Sequence, residues 1–159
     1  EQLNSTMIPL DRVDPLLENL QEFEKNVQQT KDSKDKEALL KFIDIRRNML
    51  YAEKNFLLAK KIGDIGLVDD QQGFSCSEAK YILDAAYYYN ESFTLARRAQ
   101  FDLDTLLHKY RDIQQLQDLV GLNENKTAFY KSPLDDIKKT IDHNLAALER
   151  NCKIKVVTK

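Results

Sequence analysis

The sequence predicts an all-α fold, an antiparallel up-down-up-down four-helix bundle with one long third helix. Three observations predict it. Apolar residues recur three and four apart over four long segments. The breakers are few, four Gly and three Pro, and they gather between those segments, as they do when they punctuate helices. No strand-like alternation of useful length occurs, and only the tail Ile154-Lys155-Val156-Val157 is β-prone.

The first helix is expected to open at Asp14-Pro15, where Asp14 caps and Pro15 presets the backbone, and to close near Thr30. Leu16, Leu20, Phe23 and Val27 form its inward line. The charged stretch Lys31 to Asp35 reads as a tight solvated turn, with Asp32 or Ser33 able to cap the next helix. The second helix, residues 34 to 62, carries Ala38, Phe42, Ile45, Met49, Ala52, Phe56 and Ala59 in heptad spacing. Leu39, Leu50 and Leu57 widen that seam into the broad apolar face of a bundle helix.

Gly63, Gly66 and Gly73 mark a loop that ends at Ser75-Cys76-Ser77-Glu78, a capping box that predicts a third helix from Cys76. Its core line runs through Ile82, Ala86, Tyr89, Phe93, Ala96, Leu103, Leu106, Tyr110, Ile113 and Val120, and Gly121 stops it. Unbroken, that helix spans about 67 Å. The fourth helix is expected to begin at Ser132-Pro133 and to turn Leu134, Ile137, Ile141, Leu145 and Leu148 inward. The whole chain then reads as one domain, with 1–13 and 153–159 as extended tails. The third helix outruns its neighbours, so its upper half has to bend, be covered by residues 121–132, or meet another chain.

The two cysteines, Cys76 and Cys152, fall at helix ends that an antiparallel pairing puts on the same side. A disulfide between them closes a loop of about 77 residues and stabilises by roughly 4 kcal/mol in the chain-entropy view. The alternative is two buried thiols acting as small hydrophobes. Three sequons, at Asn4, Asn90 and Asn125, exceed the roughly one expected by chance, and a chain that starts at Glu1 is consistent with a cleaved signal peptide. No apolar run approaches the roughly 18 residues that cross a bilayer. Together these features point to an extracytoplasmic location.

A net charge of -2 offers no basic field for phosphate backbones, so nucleic acid is not an expected partner. Motifs for catalysis, haem, phosphate or a di-iron centre are missing from the sequence. His108, with Asp104 one turn before it, and His143 fall short of the four ligands of a structural metal site. We therefore expect no enzyme, no cofactor and no metal. Three consecutive tyrosines, Tyr87 to Tyr89, cannot all face one core, because successive helical residues point about 100° apart. Tyr89 takes the seam. Tyr81, Tyr87 and Tyr88, rimmed by Arg97 and Arg98, then form an aromatic contact patch or pack on neighbouring helices. The function these readings favour is a non-enzymatic interaction or accessory subunit, by a protein partner or self-association. A carrier that holds an apolar ligand between Ala52, Ala59, Ala86 and Ala96, or a cytosolic regulator with free thiols, are the alternatives.

Overall fold

The structure is a computed structural model that describes residues 9–62, 76 and 79–152, with side chains of 119–134 and 137 left aside. Among the described residues the regular structure is helical: α1 (Leu10–Gln28), α2 (Lys34–Ile62), α3 (Ala79–Lys109) and α4 (Gln114–Cys152). Each helix packs on the next, and α2 also touches α4. The pairs run antiparallel. Lys54 near the end of α2 reaches Asp14 near the start of α1 at 2.7 Å, while Arg47 pairs with Glu24. Lys109 at the end of α3 reaches Glu37 at the start of α2 at 3.3 Å.

Helix α1 begins a full turn before the expected Asp14-Pro15, so residues 10–13 are helical and not part of an extended tail. Pro9 takes the N-cap position, and its carbonyl accepts from the Arg12 amide at 2.9 Å. The extra turn brings in Val13, which is completely buried. Pro15 therefore lies inside the helix, where its missing N–H leaves one carbonyl for water on an exposed face. The inward line shifts accordingly. Val13 and Val27 are buried, whereas Leu16 and Phe23, expected inside, are 36% and 47% exposed.

Helix α2 has the expected bounds, and Ser33 caps it by accepting from the Lys36 amide at 3.1 Å. Its heptad line is buried throughout except for half-buried Phe42. The line divides between two core clusters. At one end Phe56 and Ala59 meet Ala86 and Tyr89 of α3 and Ile141, Leu145 and Leu148 of α4. At the other, Ala38, Ile45 and Met49 meet Ala99, Leu103 and Leu106 of α3, with Tyr110 and Leu116.

The third helix is not the long one. It ends at Lys109 instead of running to Val120 and Gly121, and the chain reverses through Tyr110 to Ile113. The fourth helix starts at Gln114 instead of Pro133 and is 39 residues long, about 58 Å, with Gly121 and Pro133 inside it. The physical reason lies in the core. A straight α3 would carry Ile113 and Leu116 past the end of α2, whereas the reversal leaves Leu116 only 4% exposed and half-buries Ile113. Gln117 then donates its side-chain amide to the Tyr110 carbonyl at 3.2 Å and to the Leu107 carbonyl at 3.5 Å, which supplies partners to the open end of α3. Asp112 accepts from Lys34 at 2.6 Å and ties the turn to the start of α2.

The reversal also removes the length mismatch. With α4 lying along α3, Cys76 and Cys152 meet in a disulfide, Cα atoms 5.7 Å apart, and neither thiol is free. Cys76, expected as the first residue of the third helix, stands ahead of α3 in 3₁₀ conformation; Ser75 and Glu78 of the capping box lie outside the described residues, as do the loop at 63–74, Asn4 and the 153–159 tail. Asn125, expected in a loop, falls within the backbone of α4.

Two outcomes test the reversal. Leu116→Ala should lower unfolding free energy by about 2–4 kcal/mol in urea titrations, and a loss below about 1 kcal/mol would mean Leu116 does not anchor the turn. Lys34, with the turn's own backbone amide second, holds the Asp112 carboxyl below its ordinary range. A depressed folded pKa stabilises above the unfolded value, about pH 4, and that contribution fades as pH falls through the folded pKa. Asp112→Asn should therefore destabilise the protein slightly at pH 7 and leave it unchanged near pH 2.

Candidate interaction face on the third helix

Among the described residues, helix α3 is packed by α2 on one side and α4 on another, and no other described helix lies against it. Ser92 fixes its register. This side chain is 1% exposed and its hydroxyl donates to the Ala52 carbonyl of α2 at 2.7 Å, a contact that requires small residues on both helices. Two residues earlier, the oxygen of the Asn90 side chain accepts from Lys138 of α4 at 3.0 Å. Asn90 and Ser92 of the middle sequon are thus both engaged in helix packing.

The tyrosine run divides as helical geometry requires. Tyr89 is 4% exposed and meets the Phe56 ring edge-on, centroids 5.5 Å apart. Tyr88 is half-buried against the same cluster, while Tyr87 is 61% exposed and touches Tyr88 edge-on at 5.3 Å. Tyr81, seven residues before Tyr88 on the same side of the helix, is 65% exposed. Arg97 and Arg98 separate. The Arg97 guanidinium lies 5.3 Å from the Phe93 ring centroid, and Arg98 stands outward, 3.9 Å from Asp102.

Phe101 belongs to this face as well, although no motif marks it in the sequence. It is 71% exposed, the most exposed of the large apolar side chains among the described residues, and lies 14 residues, four turns, beyond Tyr87. That spacing is the signal the sequence does carry. A phenylalanine four turns from an outward tyrosine must share its side of the helix, and neither falls on the core line.

A second constellation closes the other end of the α2–α3 pair. Glu37 bridges Lys41 at 3.5 Å and Lys109 at 3.3 Å, and both amines lie over the Tyr110 ring, 5.7 and 5.3 Å from its centroid. The Tyr110 hydroxyl and then the Lys109 amine hold the Glu37 carboxyl below its usual range. The neighbouring Lys109 amine and then desolvation push Lys41 down, while Lys109 is raised. One carboxylate shared by two ammonium groups over a ring is a clasp between helices, and its groups are already engaged with one another.

His108 and His143 are both exposed, on α3 and α4. Among the described residues no group of three or more His, Cys, Asp or Glu converges as a metal site would, and no helix is long and apolar enough to cross a membrane.

The division between core and face predicts opposite responses. Tyr89→Ala should lower stability by about 3–5 kcal/mol, whereas Tyr87→Ala and Phe101→Ala should change it by no more than about 0.5 kcal/mol in the same thermal or urea unfolding. Equal losses at positions 87 and 89 would contradict the assignment. Compared with known proteins, the chain matches no family profile, no curated protein sequence and no solved structure.

Proposed function

We propose that this chain is a non-enzymatic, extracytoplasmic subunit that works by contact, built as an up-down-up-down four-helix bundle that presents α3 to a protein partner. The observation that carries this reading is the pair Tyr87 and Phe101, 61% and 71% exposed on the side of α3 turned away from the core. Large aromatic side chains stranded in water gain by being covered, and they are enriched where proteins meet. Arg98 lies between them on the same stripe and supplies the charge such a patch carries, while Tyr81, also exposed, stands about 120° round the helix on the side of Tyr88.

The Cys76–Cys152 disulfide supports this compartment, since such a bond persists in oxidising surroundings and not against a cytosolic thiol pool. The same bond argues against a regulator with free thiols. Asn4 is the glycan acceptor that this reading favours, since Asn125 stands in helical backbone and Asn90 is bonded to Lys138.

A photo-crosslinking amino acid placed at Tyr87 or Phe101, in protein made by its native cells, should yield a discrete covalent product on illumination. The same probe at Asp11, exposed on α1, should not. Equal labelling from both helices, or none from α3, would remove the contact reading. Two alkylatable thiols in protein taken directly from those cells would remove the extracytoplasmic one.

A further inference from the structure

On the outward face of α3, Tyr87, Glu91, Thr94, Arg98 and Phe101 succeed one another four, three, four and three residues apart. All five are exposed. They form a second heptad seam on a helix whose opposite side, through Tyr89, Leu103 and Leu106, is already buried. Read from either end the seam runs aromatic, charged, small, charged, aromatic, with the two signs exchanged, Glu91 on one side of Thr94 and Arg98 on the other.

That symmetry selects an occupant. We propose that the chain pairs with a second copy of itself through this face, two α3 helices lying antiparallel about a two-fold axis at Thr94. The proposal rests on the reading of α3 as a contact face and names what covers it. A two-fold contact requires a patch that is its own complement. About an axis at Thr94, Tyr87 comes level with the partner's Phe101, and Glu91 comes within one residue of level with the partner's Arg98. Thr94 meets the partner's Thr94, where a small side chain lets the helices approach.

A parallel pairing would set each Glu91 and each Arg98 against its own copy, so the charges reject it. Arg98 is free to engage, since its contact with Asp102 on the same helix is 3.9 Å, longer than a hydrogen bond. Asp84 and Asp102 flank the seam, so register is set by the Glu91 and Arg98 pairs and not by net attraction. The seam is about 21 Å long from Tyr87 to Phe101. One helix pair of that length falls at the small end of specific interfaces, which fits association in the micromolar range or weaker.

Sedimentation of the intact, disulfide-bonded chain from a few micromolar to about 1 mM should show a monomer–dimer equilibrium. Glu91→Arg and Arg98→Glu should each weaken the dimer by about tenfold, because each change places like charges together twice in one interface. The double variant Glu91→Arg/Arg98→Glu should restore it to within about threefold of the unchanged protein. Under mild oxidation Thr94→Cys should give a covalent dimer, with helical content and unfolding midpoint unchanged as the check that the variants fold. A monomer at every concentration, or a double variant no better than the singles, overturns the second copy as occupant. In that case a photo-crosslink from Tyr87 to a different protein keeps α3 as a contact face, and none from Tyr87 or Phe101 removes that reading too.

Discussion

The buried hydrogen bond between α3 and α2 sets the geometry of the rest of the molecule. Where they meet, Ser92 and Ala52 are small enough for a buried hydroxyl to reach a backbone carbonyl on the neighbouring helix. A bond of this kind favours the one rotation and register of α3 in which the buried hydroxyl finds its acceptor on the neighbouring helix. That rotation dictates the burial of Tyr89 against Phe56, the stack of Leu103 and Leu106 on Ile45 and Met49, and the solvent position of Tyr87 and Phe101.

The ends of the helix pair are secured by different chemistry. Near Tyr110 the fastening is polar and aromatic: Glu37 shared by two lysines, Gln117 on the last carbonyls of α3, and Lys34 on Asp112. These groups are largely exposed, and each ion pair by itself adds little. They act together around the apolar anchor of Tyr110 and Leu116, which are almost fully buried. At the other end of α3 a covalent bond ties Cys76, three residues ahead of that helix, to Cys152, the last residue of α4.

Much of this was legible in the residues. The heptad line of α2 gave its bounds and its buried face, and Ser33 gave its cap, because those signals are local and periodic. The positions of Cys76 and Cys152 pointed to a shared end. The reversal after Lys109 was not legible, since Tyr110-Arg111-Asp112-Ile113 contains neither Gly nor Pro and the apolar period continues through it. What decides it is tertiary: Leu116 gains cover on folding back and would have none on continuing. Gly121 and Pro133 misled in the complementary way. They weaken a helix locally, yet a helix of 39 residues packed along α3 tolerates them. On the candidate face, the tyrosine run declared itself by crowding, while Phe101 stood alone in sequence and joined Tyr87 only through helical geometry.

The disulfide makes a closed ring of everything between positions 76 and 152, and α3 and α4 lie within it. A protease that cuts once inside the ring leaves two pieces still covalently tied, so the nicked molecule travels as one and its contact face stays attached to the rest. A cut in the short turn at 29–33 has the reverse result: α1, which among the described helices packs on α2 alone, is outside the ring and is then held by non-covalent contacts only. In a protease-rich environment α1 would thus be the described helix most readily lost, while α3 and α4 stay linked.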